Sequence, residues 1–274
     1  MTKILLCYYG VIPRSIRYTY KSIEENIINI LKNKYELDIY VFNFDIEDSL
    51  IDGFKIDNND IKYINNYYIF ETEKQSEFDK VIDENYKNII NQLFYYKTYY
   101  NREYDSINAF RQLYTEYKVG CFIENNKDNY DIVIAICSDN YLCNPILLDN
   151  IEDCINNDNI IYISPMNDAG GYTNSFYFGN KNKMITLLKR YEFLIKNNLF
   201  LHRDYEFYVK FIMDINNIER GYANTYYFKI KNNKSIFWNR ENYNYNFYRT
   251  LENDKLITIE QLHKIYNELI ELVK

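Results

Sequence analysis

Histidine is nearly missing from this chain. His202 and His263 are the only two in 274 residues. That excludes a zinc site built mainly on imidazoles, and it confines any histidine-based triad to two positions. Neither has a nucleophile motif beside it. Glycine is scarce as well, with seven in all. None of them forms Gly-x-Gly-x-x-Gly after the first apolar run, Gly-x-x-x-x-Gly-Lys-Ser/Thr, or the Gly-x-Ser-x-Gly elbow. An ordinary dinucleotide fingerprint, a P-loop and a hydrolase elbow are therefore all missing. The five cysteines (Cys7, Cys121, Cys137, Cys143 and Cys154) contain no Cys-x-x-Cys pair, so reduced thiols in a cytoplasmic setting are expected.

Long apolar runs are lacking too. No stretch approaches the ~20 residues of a membrane span, and Lys3–Gly10 is too short for a signal-peptide core. No membrane span and no export are expected, which makes the sequon Asn233-Lys234-Ser235 a chance match. Positive charge does not dominate. Against 39 acidic residues stand 32 Lys and Arg, for a net charge of -7 and a pI near 5.1. A general nucleic-acid partner, which needs a basic face, is not expected.

Tyrosine is abundant, with 32 copies. Ile, Asn, Lys and Phe are also frequent, and all five residues have AT-rich codons, so much of the bias reads as genomic. The mean hydropathy of -0.48 reflects Asn and Tyr rather than disorder. With 47% hydrophobic and 26% charged residues, the chain is globular and long enough for a sizeable core. The Tyr95–Tyr104 stretch reads either as packing on a biased composition or as a sugar-stacking wall.

Lys3–Tyr9 predicts a buried strand. A helix follows, with Ile16, Tyr20, Ile23, Ile27 and Leu31 on one face and Ser15 as N-cap. Leu37–Phe44 is a second strand, completing a βαβ unit. Residues 45–75 predict a polar loop with short elements. Helical periodicity marks 76–102 (Phe78, Ile82, Tyr86) and 104–123 (Phe110, Leu113, Tyr114, Tyr117, Phe122). Further strands are expected at 131–137, 159–164, 175–179 and 222–230. Helices are expected at 145–156, 181–197, 204–217 and 259–273, the last opened by the capping box Thr258-x-x-Gln261. No internal repeat or long linker interrupts this order, which predicts one α/β domain with a mostly parallel sheet.

The stretch Tyr130-Asp131-Ile132-Val133-Ile134-Ala135-Ile136-Cys137-Ser138-Asp139-Asn140 carries the most chemistry. It is an apolar strand that ends abruptly in a carboxylate. Ligands of open α/β sheets bind beyond the carboxyl ends of strands, and a carboxylate there can hold a divalent cation and, through it, phosphates. The plain alternative is a strand-to-loop junction. If both strands belong to one parallel sheet, the Gly10–Ser15 turn lies on the same edge as Asp139.

Three blocks carry a family resemblance. The first is Gly10-Val11-Ile12-Pro13-Arg14-Ser15-Ile16-Arg17-Tyr18-Thr19, with Ser22, Ile23 and Asn26. The second runs from Tyr130 through Asp139 to Asn144-Pro145-Ile146. The third is Asn174-Ser175-Phe176-Tyr177-Phe178-Gly179, then Met184, Tyr191 and His202-Arg203-Asp204. In this order they resemble the GT-A glycosyltransferase-like proteins of large DNA viruses and some bacteria. The resemblance implies a GT-A-like, Rossmann-like fold over 1–274. Residues 1–145 would form the nucleotide-binding half, and 146–274 the acceptor side with its C-terminal helix. It further implies a UDP- or GDP-linked sugar donor, a glycan or protein acceptor, and, for a viral protein, the host cytoplasm or a virus factory.

In that frame Gly10, Arg14, Arg17, Ser138, Asp139, Asn140, Gly170 and Gly171 would bind the nucleotide sugar, with Arg14 on the diphosphate. Asp139 matches the last Asp of an Asp-x-Asp motif that holds Mn²⁺ or Mg²⁺, and Asn140 could add an oxygen. Asp204 or Asp168 would act as general base in an inverting reaction, with His202 near the sugar or acceptor. The chain departs from the pattern at Cys137, which stands where the first Asp belongs. It departs again at Ser175, which replaces a frequent acid. Both substitutions leave open a catalytically degenerate nucleotide- or glycan-binding, or structural, relative. The bland readings also stand: Arg14 pairing with a carboxylate, Asp204 in a helix first turn, His202 packed, Gly170-Gly171 as a turn, and Trp238 in a core.

Overall fold

Burial along β1 (Lys3–Gly10) alternates between two cores. Ile4, Leu6 and Tyr8 join one cluster, and Leu5, Cys7 and Tyr9 join the other. A strand covered on both faces reads as a continuous apolar run, which is why the sequence shows it so clearly. The structure is a computed structural model. It describes residues 1–46, 50–51, 54–64, 66–87, 102–166, 171–197, 205–231, 236–237 and 257–273.

After β1 a short 3₁₀ turn, Ile12–Arg14, leads into α1 (Ile16–Ile23) and, through a π-helical turn at Glu24–Ile28, into α2 (Asn29–Lys32). Of the predicted face, Ile16, Ile23, Ile27 and Leu31 are buried and Tyr20 is half-buried. Then come β2 (Glu36–Asp45), the small hairpin β3 (Leu50–Ile51) and β4 (Phe54–Lys55), β5 (Ile69–Lys74), α3 (Gln75–Asn85) and α4 (Arg102–Asn125). Next are β6 (Ile132–Cys137), β7 (Asn140–Leu142), α5 (Leu148–Asn156), β8 (Ile160–Ile163), β9 (Phe176–Asn180), α6 (Lys181–Leu188) and α7 (Arg190–Lys196). The described order closes with α8 (Tyr205–Ile215), β10 (Glu219–Tyr222), β11 (Tyr227–Ile230), β12 (Ile236–Phe237) and α9 (Ile259–Val273).

The central sheet has seven strands in the order β10-β8-β9-β6-β1-β2-β5. β9 runs antiparallel to both neighbours, and every other pair is parallel. α1, α5 and α9 contribute to the core on one face. α3, α4, α6, α7 and α8 contribute to the other. The α/β class with a mostly parallel sheet and a C-terminal helix is as the sequence predicts. A second sheet, β12-β11-β7, branches from the end of β6.

The differences from expectation have physical causes. Residues 45–75 contain β5, a parallel partner of β2, in the stretch expected to be a loop with short elements. It is an edge strand, so one side can carry Glu71 and Glu73 without burying them. The expected strand at 222–230 is two strands in two sheets. Between them Asn224 adopts φ 48°, a left-handed conformation that Asn tolerates better than most residues. The expected helix at 181–197 breaks at Lys189. The C-terminal capping box holds: the Thr258 N–H donates to Gln261 Oε1 at 2.7 Å, and the Gln261 N–H donates to Thr258 Oγ1 at 3.2 Å.

Gly10 ends β1 with φ 110°, a value that L side chains avoid. A Cβ there would meet nothing within 4 Å, so the whole penalty of Gly10→Ala lies in the backbone. We expect it to cost about 1–3 kcal/mol, read as a lower denaturant midpoint with an unchanged m-value.

Candidate functional site

The parallel pairing of β1 with β6 brings two chain ends side by side. Tyr9 is in register with Cys137, so the loop after Gly10 and the turn after Cys137 leave the same sheet edge. Side chains stitch them together. Thr19 Oγ1 donates to the Ser138 carbonyl at 2.7 Å, and Ser138 Oγ reaches the Val11 carbonyl at 3.5 Å. Asn43, at the end of β2, accepts from the Ile12 N–H at 2.9 Å. Ser15 stands at the N-cap position but does not cap with its side chain. Its hydroxyl donates instead to the Ile230 carbonyl on β11, which ties the loop to the second sheet.

Asp139 sits where the two sheets meet. Asn140 begins β7 and lies opposite Lys229 of β11. The Ile230 N–H donates to the Asp139 carbonyl at 2.9 Å. The structure therefore gathers Gly10, Arg14, Ser138, Asp139 and Asn140 as expected, and adds Lys229. Nothing local marks that lysine in the sequence. It is one of many Lys in a biased composition, and only the pairing of β11 with β7 brings it here.

The Asp139 carboxylate is only 9% exposed, and its Oδ1 has no hydrogen-bond partner. Burial pushes its pKa up. The Lys229 ammonium and the Arg14 guanidinium outweigh that effect, helped by the Cys137 thiol, and hold the carboxyl below its usual range. Burial pushes the Lys229 ammonium down, but Asp139 together with Cys137, Tyr227 and Glu206 outweighs it, so the ammonium stays protonated. The Cys137 thiol is pushed up by burial and then by Asp139, so it is neutral near pH 7. Arg14 is half-buried, and its Nε lacks a partner. Asn140 donates from Nδ2 to the Ser175 carbonyl at 2.9 Å, which leaves its buried Oδ1 without a partner.

These features bear on a metal ion. Among the described residues no group of three or more His, Cys, Asp or Glu could hold one. The described donor set is one carboxylate, one amide oxygen and a neutral thiol, with two cationic side chains acting on the carboxylate. A hard divalent cation needs several anionic or neutral oxygens, so this set does not fit one.

Beneath the site lies a polar network that the sequence analysis missed. Glu116 of α4 and Arg190 of α7 form an ion pair at 2.7 Å, with both side chains 0% exposed. Tyr177 of β9 donates its hydroxyl to Glu116. Gln112 donates to Glu116 at 3.2 Å and to the Asn174 carbonyl at 2.8 Å, and Tyr9 donates to that carbonyl at 2.7 Å. The Ser175 carbonyl accepts from the Cys137 N–H at 2.9 Å. The network thus fixes Asn174–Ser175, and through it the end of β6. Within a helix as polar as α4, a charged residue gives no sign that it faces inward.

The other expected site residues are placed differently. Arg17 is exposed on α1, with its guanidinium 4.6 Å over the Tyr18 ring and Nε 3.6 Å from Asp60. Gly171 is buried, and a Cβ there would come 2.0 Å from the Glu206 carbonyl oxygen. The adjacent Tyr172 N–H donates to that oxygen at 2.8 Å. The backbone contact with α8 is sufficient reason for this glycine. Gly171→Ala must displace α8, and we expect a loss of more than about 2 kcal/mol, measured by thermal unfolding. Asp168, Gly170, His202, Asp204, Trp238 and residues 95–101 lie outside the described residues.

No family model matches the chain, and no curated protein matches it. Among solved structures it is similar to galactosyltransferase LgtC in complex with donor and acceptor sugar analogs. The identity is 12% over 81% of this chain and 73% of that one, with a TM-score of 0.41. It is also similar to mouse xyloside xylosyltransferase 1 in its apo form, at 11% identity over 81% of this chain and 85% of that one, with a TM-score of 0.40. Among the described residues no helix is long and apolar enough to cross a membrane.

Proposed function

We propose that this protein is a glycosyltransferase of GT-A type that moves a sugar from a nucleoside-diphosphate sugar to a hydroxyl of a glycan or protein acceptor. The observation that carries this reading is the cluster of Arg14, Asp139 and Lys229 beyond the carboxyl ends of β1 and β6. It is where a ligand binds in an open α/β sheet, and its two cations suit the leaving diphosphate. The three sequence blocks support the same reading, because two of them pass through this edge.

In the reaction the acceptor oxygen bonds to the anomeric carbon as the bond from that carbon to the diphosphate breaks. The electron pair leaves on the diphosphate. The acceptor proton passes to a general base, the role we propose for Asp204 or Asp168, with His202 beside the sugar or acceptor. Gly10, Ser138 and Asn140 shape the pocket for the nucleotide, and Arg17 and Gly170 are proposed to border it.

A screen of UDP- and GDP-linked sugars tests the reading, with donor hydrolysis and thermal shift measured with and without Mn²⁺. One class of donor is expected to raise the melting temperature and to be hydrolysed slowly. No shift and no turnover with any donor would sink the proposal. Cys137 in place of an acid favours a second reading, a non-catalytic nucleotide- or glycan-binding protein. That reading expects a thermal shift without hydrolysis or transfer.

A further inference from the structure

We infer that the donor diphosphate is neutralised at this site by two side-chain cations, the Lys229 ammonium and the Arg14 guanidinium, in place of a divalent metal ion. This rests on the transferase reading, since it names what the leaving group of that reaction meets.

The placement comes from the backbone. β11 carries Lys229 opposite Asn140. The next residue, Ile230, receives the Ser15 hydroxyl and gives its N–H to the Asp139 carbonyl. One strand end therefore fixes the loop that bears Arg14 and the turn that bears Asp139. The two charged side chains that act most on Asp139 are both cations. Two further carboxylates act on Lys229. One is Glu206 in the first turn of α8, and the other is Glu116, which Arg190 already pairs.

One polar atom left over suits an anionic ligand, the buried donor Arg14 Nε; the other two are acceptors that call for a donor, which the Lys229 ammonium can offer. Asp139 Oδ1, Asn140 Oδ1 and Arg14 Nε are buried and lack hydrogen-bond partners among the described residues. A buried polar atom without a partner is costly, so such a group marks where a ligand or water completes the bonding. An ammonium has three donors, enough to serve Asp139 and phosphate oxygens together. A divalent ion on Asp139 would instead face two positive side chains.

The chemistry balances without a metal. As the acceptor oxygen bonds to the anomeric carbon, the carbon–oxygen bond to the β-phosphate breaks and its electron pair stays on that oxygen. The acceptor proton goes to the general base. The new charge on the diphosphate meets donors already fixed in place, which is how preorganised groups lower a barrier. Asp139 then serves as a positioning residue that holds both cations.

Isothermal titration of the full chain tests this, using UDP, GDP and inorganic pyrophosphate, each in excess EDTA and in Mn²⁺. UDP or GDP is expected to bind in EDTA as tightly as in Mn²⁺. Lys229→Met keeps an apolar stem on β11 and should weaken binding roughly tenfold or more in both buffers. Lys229→Arg should keep most of the affinity. Arg14→Gln, on the loop, gives an independent loss should Lys229→Met fold poorly by circular dichroism. Nucleotide binding that needs Mn²⁺, or a folded Lys229→Met that binds like the wild type, overturns the cation pair and leaves the transferase reading standing. Pyrophosphate binding in EDTA without UDP or GDP binding upholds the cation pair and overturns the nucleotide reading. No binding of any probe in either buffer overturns both.

Discussion

Asp139→Asn is expected to lower turnover of the preferred nucleotide sugar by about 10²–10³-fold. The substitution keeps the shape and removes the charge. That charge is proposed to hold the Lys229 ammonium and the Arg14 guanidinium at the sheet edge, and both help keep the buried carboxyl ionised. Without it the two cations repel each other and lose their fixed arrangement. Groups that must reorganise during the reaction stabilise a transition state far less than groups already in place. Ground-state attraction for a diphosphate should not fall, because a negative neighbour has been removed. The expected signature is a reduced kcat with nucleotide affinity retained. A parallel loss of affinity that appears only in Mn²⁺ would assign Asp139 to a metal instead. Unchanged turnover and affinity would show that Asp139 does not position the cations.

Removing one partner of the buried Glu116–Arg190 pair should have the largest effect on stability. Both side chains are fully buried. Burial raises the Glu116 pKa, and Arg190 opposes that rise. Arg190→Met leaves an uncompensated carboxylate under the sheet, at an expected cost of about 3–5 kcal/mol. For a chain of this size that is on the order of 10 °C in Tm. The double substitution Glu116→Leu with Arg190→Met should recover much of the loss, because a packed apolar pair avoids the desolvation penalty. Recovery is limited by Tyr177 and Gln112, which also bond Glu116. A thermal-melt double-mutant cycle checks this. Additive single and double losses would show that the two charges do not act as a pair. Donor binding should weaken with the single variants, since the network also orders Asn174 and Ser175, which hold Cys137 and Asn140.

Much of the fold is legible in the sequence because its signals are local. β1 and β6 are apolar runs covered on both faces. α1 and the turns that continue it into α2 show a buried stripe at Ile16, Ile23, Ile27 and Leu31, and the Thr258–Gln261 box marks the start of α9. Where signals conflict, the reading slips. β5 has an edge strand's polar composition and reads as loop. The run at 222–230 is rich in aromatic and β-branched residues, yet the left-handed Asn224 separates the end of β10 from β11 in another sheet.

The site divides the same way. Asp139 and the Gly10–Ser15 loop stand out in the chain because a strand that ends abruptly in a polar turn is a local pattern, and the parallel pairing of β1 with β6 then brings them to one edge. Lys229, Glu116 and Arg190 do not stand out, because their roles come from what lies across from them. A lysine in a half-buried strand, a glutamate in a long polar helix and an arginine at a helix start each read as solvated surface. Antiparallel pairing of β11 with β7 sets the lysine opposite Asn140, beside Asp139. The packing of α4 against α7 closes the ion pair away from water. The sequence by itself determined the α/β sheet and the edge at which chemistry is expected. Only the tertiary structure decided that cations face Asp139 there, because electrostatic partners are set by distance in space and not along the chain.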